Sequence, residues 1–168
     1  MKNRFEVKGE TTSIYLNKAI TLIDTTDLKR ANEFEGTWYA HWSPITKTYY
    51  VAGVTPIYNG RRKQLFLHRW LMNVCGGLVI DHMNHDTLNN CRSNLRVVTM
   101  QQNNQNKRIN KNNSTGFRGV TFNHENQKWR ARVQVNKQSL HLGYFNSVSE
   151  AAFAVKKARK EFMPFSSI

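Results

Sequence analysis

The alternation of apolar and polar positions changes period several times along the chain, and each change predicts an element. Residues 27–35 (DLKRANEFE) predict a short helix, and the aromatic runs at 37–42 (TWYAHW) and 48–54 (TYYVAGV) predict strands parted by a turn at Ser43-Pro44. Gly60-Arg61-Arg62-Lys63 marks a second turn. The apolar run Leu65-Phe66-Leu67 then leads into a helix over 68–75 that Gly76-Gly77 would end. A short strand at 78–80, a polar loop from 83 to 93 and a strand at 95–98 follow. Thr99 with Gln102 forms a capping box that opens a helix at Met100. In 129–135 the alternation is strict: Trp129, Ala131, Val133 and Val135 face one side, Arg130, Arg132 and Gln134 the other. Ser147 with Glu150 opens a last helix, whose stripe of Val148, Ala151, Ala152, Val155 and Phe162 can cover the apolar side of that sheet.

These elements describe an α+β chain of small modules in series. A mixed module is expected over 1–66, a strand-loop-strand-helix module over 67–108, a polar Asn-rich linker over 109–115, and a three-stranded antiparallel sheet with one helix over 116–168. The first module offers little chemistry, and its aromatics Trp38, Tyr39, Trp42, Tyr49 and Tyr50 are expected to be core. At 168 residues the chain excludes a large enzyme barrel, and 39% apolar residues exclude wholesale disorder.

Charge narrows the partner. The formal net charge is +14, and it is uneven: residues 1–55 hold 7 basic and 6 acidic side chains, the remainder 18 and 5. A basic field interleaved with aromatics favours nucleic acid over a membrane surface. Two cysteines, Cys75 and Cys91, form no CxxC or Cys/His ligand spacing, so no zinc site is expected. The N-terminal residues lack an apolar stretch of signal-peptide length, and no run reaches membrane-span length. A cytoplasmic protein with reduced thiols is expected, inside a bacterial host cell if phage-encoded.

The chemistry concentrates at Asp81-His82, where a strand gives way to a loop, and at Asn103, one turn into the following helix. Hydrolysis of a phosphodiester requires a base for water and a cation for the charge that develops on phosphate and leaving oxygen. An imidazole suits the first task near neutral pH. A carboxylate and an amide oxygen are hard donors suited to Mg²⁺.

Val79-Ile80-Asp81-His82-Met83-Asn84, Asn90, Ser93-Asn94-Leu95-Arg96-Val97-Val98-Thr99 and Gln102-Asn103 together resemble the HNH endonuclease motif of phage and intron-borne homing endonucleases. The resemblance implies a ββα-metal fold with His82 as general base, and with Asp81 and Asn103 as ligands of one divalent cation, Mg²⁺ or else Mn²⁺. It also implies that Asn94 fixes the loop and orients His82. His85 stands where the family usually has Gly and could be a competing ligand or a phosphate contact. His68, within Leu67-His68-Arg69, matches an upstream His-Arg of the family with a structural or phosphate-contacting role. Arg96 is a further supporting candidate.

Phe117-Arg118-Gly119-Val120, Trp129-Arg130-Ala131, Leu142-Gly143-Tyr144-Phe145 and Glu150-Ala151-Ala152 resemble the AP2 DNA-binding domain. That implies a sheet laid in the major groove. Arg130, Arg132 and Gln134 are then base readers, Arg118 a phosphate clamp, and Thr121, Asn123, Ser139 and His141 lie on or near the DNA-facing strands. Lys107, Arg108 and Lys111 would follow the phosphate backbone.

The expected function is a site-specific, metal-dependent endonuclease of homing type. It acts on double-stranded DNA, nicks because each chain has one active site, and works as a monomer. The contrasting expectation is a non-catalytic sequence-specific DNA-binding regulator with a vestigial HNH fold. An RNA-directed protein is a third, disfavoured because a groove-reading sheet suits B-form DNA better.

Overall fold

The computed structural model describes residues 1–57, 60–74, 76–110 and 112–166. The expectations for Cys75 and Lys111 therefore fall outside the described residues. The fold is mixed α+β, with four small antiparallel sheets and four α-helices among those residues. They form two compact units, residues 1–99 and 100–168. The two strands expected for the nuclease module lie in the first unit and its helix in the second.

The first unit opens with a three-stranded meander, β1 (Phe5–Lys8), β2 (Thr11–Tyr15) and β3 (Ile20–Asp24), which the sequence reading did not anticipate. Its physical basis is alternation: Thr12 and Ile14 on β2 and Thr21 and Ile23 on β3 are buried, their neighbours exposed or half-buried. The helix expected at 27–35 is shorter, one 3₁₀ turn followed by α1 (Leu28–Asn32). A second sheet of β4 (Tyr39–Ser43), β5 (Thr48–Val54) and β6 (Gln64–Phe66) leads directly into α2 (Leu67–Met72). Asn73, in the left-handed conformation at φ 47°, ends α2 ahead of Gly76. β7 (Val79–His82) and β8 (Leu95–Val98) form a two-stranded antiparallel ribbon.

Ile14, Ile23, Ala31, Phe34, Trp38, Val51, Leu67 and Leu71 make the core of this unit. Trp38 is fully enclosed and stacked on Phe34 at 4.1 Å, so its truncation to Ala would cost about 3–5 kcal/mol. The other aromatics assigned to this core sit elsewhere. Tyr39, Tyr49 and Tyr50 are half-buried, and Trp42, on the same side of β4 as the buried Ala40 but near the end of the strand, is 47% exposed with its edge on Tyr49.

The second unit starts with α3 (Met100–Gln105) and continues into β9 (Val120–Asn123), β10 (Lys128–Val135) and β11 (Gln138–Phe145), an antiparallel sheet ordered β11-β10-β9. Ser147 caps α4 (Val148–Phe162) by accepting the Glu150 amide. Val120, Ala131 and Val133 pack under Ala151, Val155 and Ala158. Phe162 departs from its expected place on the stripe and is exposed. The helix ends there, and Met163, which follows it, is buried. Gly119 is required where it stands: at φ 76° an added Cβ would fall 2.1 Å from the Arg132 carbonyl oxygen.

Candidate active site and nucleic-acid interface

Asp81 and His82 end β7 with buried side chains. The β7–β8 register pairs Asp81 with Arg96, whose Nε and Nη2 both donate to Asp81 Oδ2 at 2.9 and 2.7 Å. A carboxylate taken out of water needs such a partner, and the cross-strand pairing supplies one.

His82 is set by a chain of hydrogen bonds that reaches back to the meander. Its Nε2 lies 3.3 Å from Asn90 Oδ1, while the Asn90 amide nitrogen donates to Thr21 Oγ1 at 2.9 Å and Thr21 donates to the Leu88 carbonyl at 2.6 Å. With the Asn90 nitrogen committed to Thr21, its oxygen faces the imidazole. That assigns the proton to Nε2 and the lone pair to Nδ1. Burial lowers the His82 pKa from its ordinary value, partly opposed by Asn90, Asp81 and Asp86, so the ring is neutral near neutral pH. A neutral imidazole of fixed tautomer can take a proton from water.

Asn94 spans the loop between the strands. Its Oδ1 accepts the Asn84 amide at 3.0 Å, and its Nδ2 donates to the carbonyls of Asn89 at 2.8 Å and Asp86 at 3.2 Å. The Met83 amide also bonds the Asn94 carbonyl, at 2.9 Å. One side chain therefore holds three points of the loop. His85 adopts φ 64°, a left-handed conformation that favours glycine and that accounts for its place in the motif.

The meander continues the support. Leu22 donates to the Leu88 carbonyl at 3.0 Å and accepts from Asn90 at 2.8 Å, so the edge of β3 pairs with the loop between β7 and β8. Arg92 forks onto Asp27 at 2.9 and 2.8 Å, and its amide donates to Asp24 at 2.7 Å. Sequence reasoning gave the first module no role in the site and gave Asn90 and Thr21 none of their own. Asn90 was visible within the motif, whereas Thr21 could have been found only from the β3 alternation.

His68, at the start of α2, meets His82 edge to face at 5.1 Å and stacks on Phe66 at 5.7 Å, with Tyr50 at 6.2 Å from both histidines. Its Nδ1 is buried without a hydrogen-bond partner. Burial, and then the neighbouring His82, push its pKa down to about 3. The Cys91 thiol is pushed up to about 11 by burial and Asp24, which leaves it unreactive. Among the described residues, no three His, Cys, Asp or Glu side chains converge on a metal position. Asn103 lies half-buried on α3, in the second unit.

In that unit the comb on β10 has a defined face. Arg132 and Gln134 are exposed, and Arg130 is half-buried, with its Nε enclosed and lacking a hydrogen-bond partner. Register places Thr121 and Tyr144 beside Arg130, His141 beside Arg132, and Ser139 beside Gln134. The bulge at Leu142 and Gly143, where φ is 124°, brings His141 and Tyr144 to the same face despite their spacing of three, with rings 4.9 Å apart. Simple alternation hid Tyr144; Gly143 was the available signal. Thr121 and His141 are exposed, and Asn123 is half-buried, accepting the Asn126 amide at 2.8 Å. Lys107 and Arg108 are exposed.

Arg118 points inward. Its Nη1 donates to the carbonyls of Gln105, at 3.2 Å, and of Lys107. Arg159 donates to the same Gln105 carbonyl at 3.0 Å, and the Phe165 amide reaches Gln105 Oε1 at 3.2 Å. Together they close the C-terminal end of α3, whose last carbonyls have no partner within the helix.

Residues 67–105 match the HNH endonuclease family. Over 57 residues, 34% of the chain, the sequence is 33% identical to Protein 3.8 of Escherichia phage T7, and the match spans about half (47%) of that protein's length. No solved structure matches the chain. Among the described residues no helix is long and apolar enough to cross a membrane.

Proposed function

We propose that the chain is a site-specific DNA endonuclease that nicks duplex DNA by hydrolysis. The observation that carries this reading is the buried, neutral His82, with its tautomer fixed through Asn90 and Thr21, beside Asp81 inside the segment that matches the HNH family. His82 Nδ1 accepts a proton from a water molecule, whose oxygen attacks phosphorus as the bond to the leaving 3′-oxygen breaks. Asn94 keeps the loop in the shape that holds His82. No covalent enzyme intermediate is required.

Asp81 and Asn103 are the proposed holders of one divalent cation. A carboxylate oxygen and an amide oxygen are hard donors that fit Mg²⁺, with Mn²⁺ as substitute. When bound, the cation supplies charge stabilisation for the phosphate and the leaving oxygen. Among the described residues no third acidic or imidazole ligand is gathered, so a bound cation would take its remaining ligands from water and substrate phosphate.

Sequence readout is assigned to the AP2-like sheet: Arg130, Arg132 and Gln134 read bases, supported by Thr121, Asn123, His141 and Tyr144, while Lys107, Arg108 and Lys111 follow the backbone. A mobile-element, homing role accords with the similarity to a phage protein. One active site per chain makes a monomeric nickase the natural form.

A second reading has its own observation. Arg96 engages Asp81 with two nitrogens, an arrangement that also suits a DNA-binding protein whose metal site has been given up. Supercoiled plasmid incubated with Mg²⁺ or Mn²⁺ separates the two. Open-circle product that disappears with EDTA and with His82→Ala is expected. Tight, salt-sensitive binding without cleavage under either metal establishes the regulator.

A further inference from the structure

The charged groups of the second unit are not all on the sheet face. A cavity of about 670 Å³ opens between α3, the strand-end turn of β10 and β11, and α4. Arg118, Arg132, Lys137 and Arg159 line it, and none of its lining residues is acidic. Among the described residues, no carboxylate lies within salt-bridge distance of Arg118 or Arg159.

Two guanidinium groups in this position are more than helix capping requires. They converge on one carbonyl, that of Gln105, and each keeps donors beyond those it spends there. Both are partly withdrawn from water, and each has its pKa lowered by that burial, with Arg118 further lowering Arg159. Like charges held together in a partly desolvated wall repel, and an anion between them removes the penalty. Planar guanidinium forks match phosphate oxygens best.

The volume exceeds what a bare phosphate fills and falls within the usual range for small-ligand sites, roughly 300–1,000 Å³. Met100, Val133 and Met163 supply apolar wall, and the amides of Asn104 and Gln134 supply donors and acceptors of the kind that pair with base edges. We propose that this cavity binds a nucleotide through its phosphate, as a site separate from the His82 centre. It stands whether or not the chain cleaves DNA.

A free nucleotide and a DNA strand both offer that phosphate, and one titration distinguishes the sources. The full chain, in EDTA, is titrated with dAMP, inorganic phosphate, deoxyadenosine and an ionic-strength-matched chloride control, by calorimetry and thermal shift. Saturable binding of dAMP, weaker binding of phosphate and none of deoxyadenosine is expected. Arg159→Gln should weaken dAMP by about tenfold, the usual loss for one charge-assisted contact. Lys137→Gln, at an exposed position outside the helix-end contacts, should weaken it in the same direction, which keeps the result readable if the Arg159 variant unfolds. Repeating the titration with duplex already bound assigns the source: undiminished dAMP binding indicates a free nucleotide, and exclusion of dAMP indicates a strand phosphate. No saturable dAMP signal above chloride, or dAMP binding unaffected by Lys137→Gln in a folded protein, overturns the proposal.

Discussion

The two units handle charge in opposite ways. Residues 1–99 carry 13 basic and 8 acidic side chains, and the important ones are answered from within: Asp81 by Arg96, Asp27 by Arg92, His82 by Asn90. Residues 100–168 carry 12 basic and only 3 acidic side chains, and their arginines face solvent, backbone carbonyls or a cavity. A unit whose buried polar groups, His68 Nδ1 apart, are paired with one another holds a fixed geometry, as the proposed chemistry on a phosphodiester demands. A unit with uncompensated positive charge gains its complement from a polyanion. The comparison separates a prepared centre from a surface awaiting its partner.

Substitutions should respect that division. The largest effect is expected from Asn94→Ala, which deletes three hydrogen bonds across the loop. At about 1 kcal/mol each, it should lower stability in urea unfolding by about 3 kcal/mol and abolish cleavage. Next, Arg132→Ala or Gln134→Ala should weaken binding to a selected duplex by about 1–3 kcal/mol each, read by fluorescence anisotropy, with unfolding midpoints unchanged because both side chains are exposed. If either variant instead unfolds the protein, the sheet face is structural and the contrast fails.

Thr21→Val should act more gently. It keeps shape but removes the hydroxyl that orients Asn90, so cleavage should slow by about tenfold while duplex affinity holds. Equal loss of binding and cleavage would deny the meander its part in setting His82.

A last effect is a slope. His68, with a folded pKa of about 3 against an ordinary 6.5, takes up its proton preferentially when unfolded, and the lowered His82 acts in the same sense. Their contribution is complete above about pH 6.5 and is lost as pH falls toward 3, by at most about 1.4 kcal/mol per pH unit for each proton. His68→Phe should flatten that slope in a series of urea titrations between pH 4 and 7.

What could be read from the letters follows the range of the interactions involved. The comb of β10 and the Ser147 cap depend on neighbours within a few residues, and periodicity displays them directly. The meander escaped because its strands are short, β1 is exposed throughout, and the alternation on β2 and β3 buries threonines as well as isoleucines, which the letters do not display as an apolar stripe. Trp42 was misplaced since an aromatic run does not reveal where along its strand the covering layer ends. At the candidate site, placement along the elements singles out Asp81, His82 and Asn103, and the HNH resemblance adds Asn94, but Thr21 approaches Asn90 across 69 positions, a separation that no local pattern encodes. Arg118 illustrates the converse: its sequence context suggests an outward clamp, and its surroundings turn it to the end of α3.

The pairing of β3 with the loop at 88–90 bears on how the HNH-matched segment could be inherited or transplanted. The family match begins at residue 67, yet a gene fragment starting there would leave Asn90, Arg92 and the loop backbone without Thr21, Asp27 and Leu22. The heritable cassette is therefore discontinuous. Any recombination that carries the HNH segment into a new host gene must bring residues 21–27 with it, or find another strand to stand in their place.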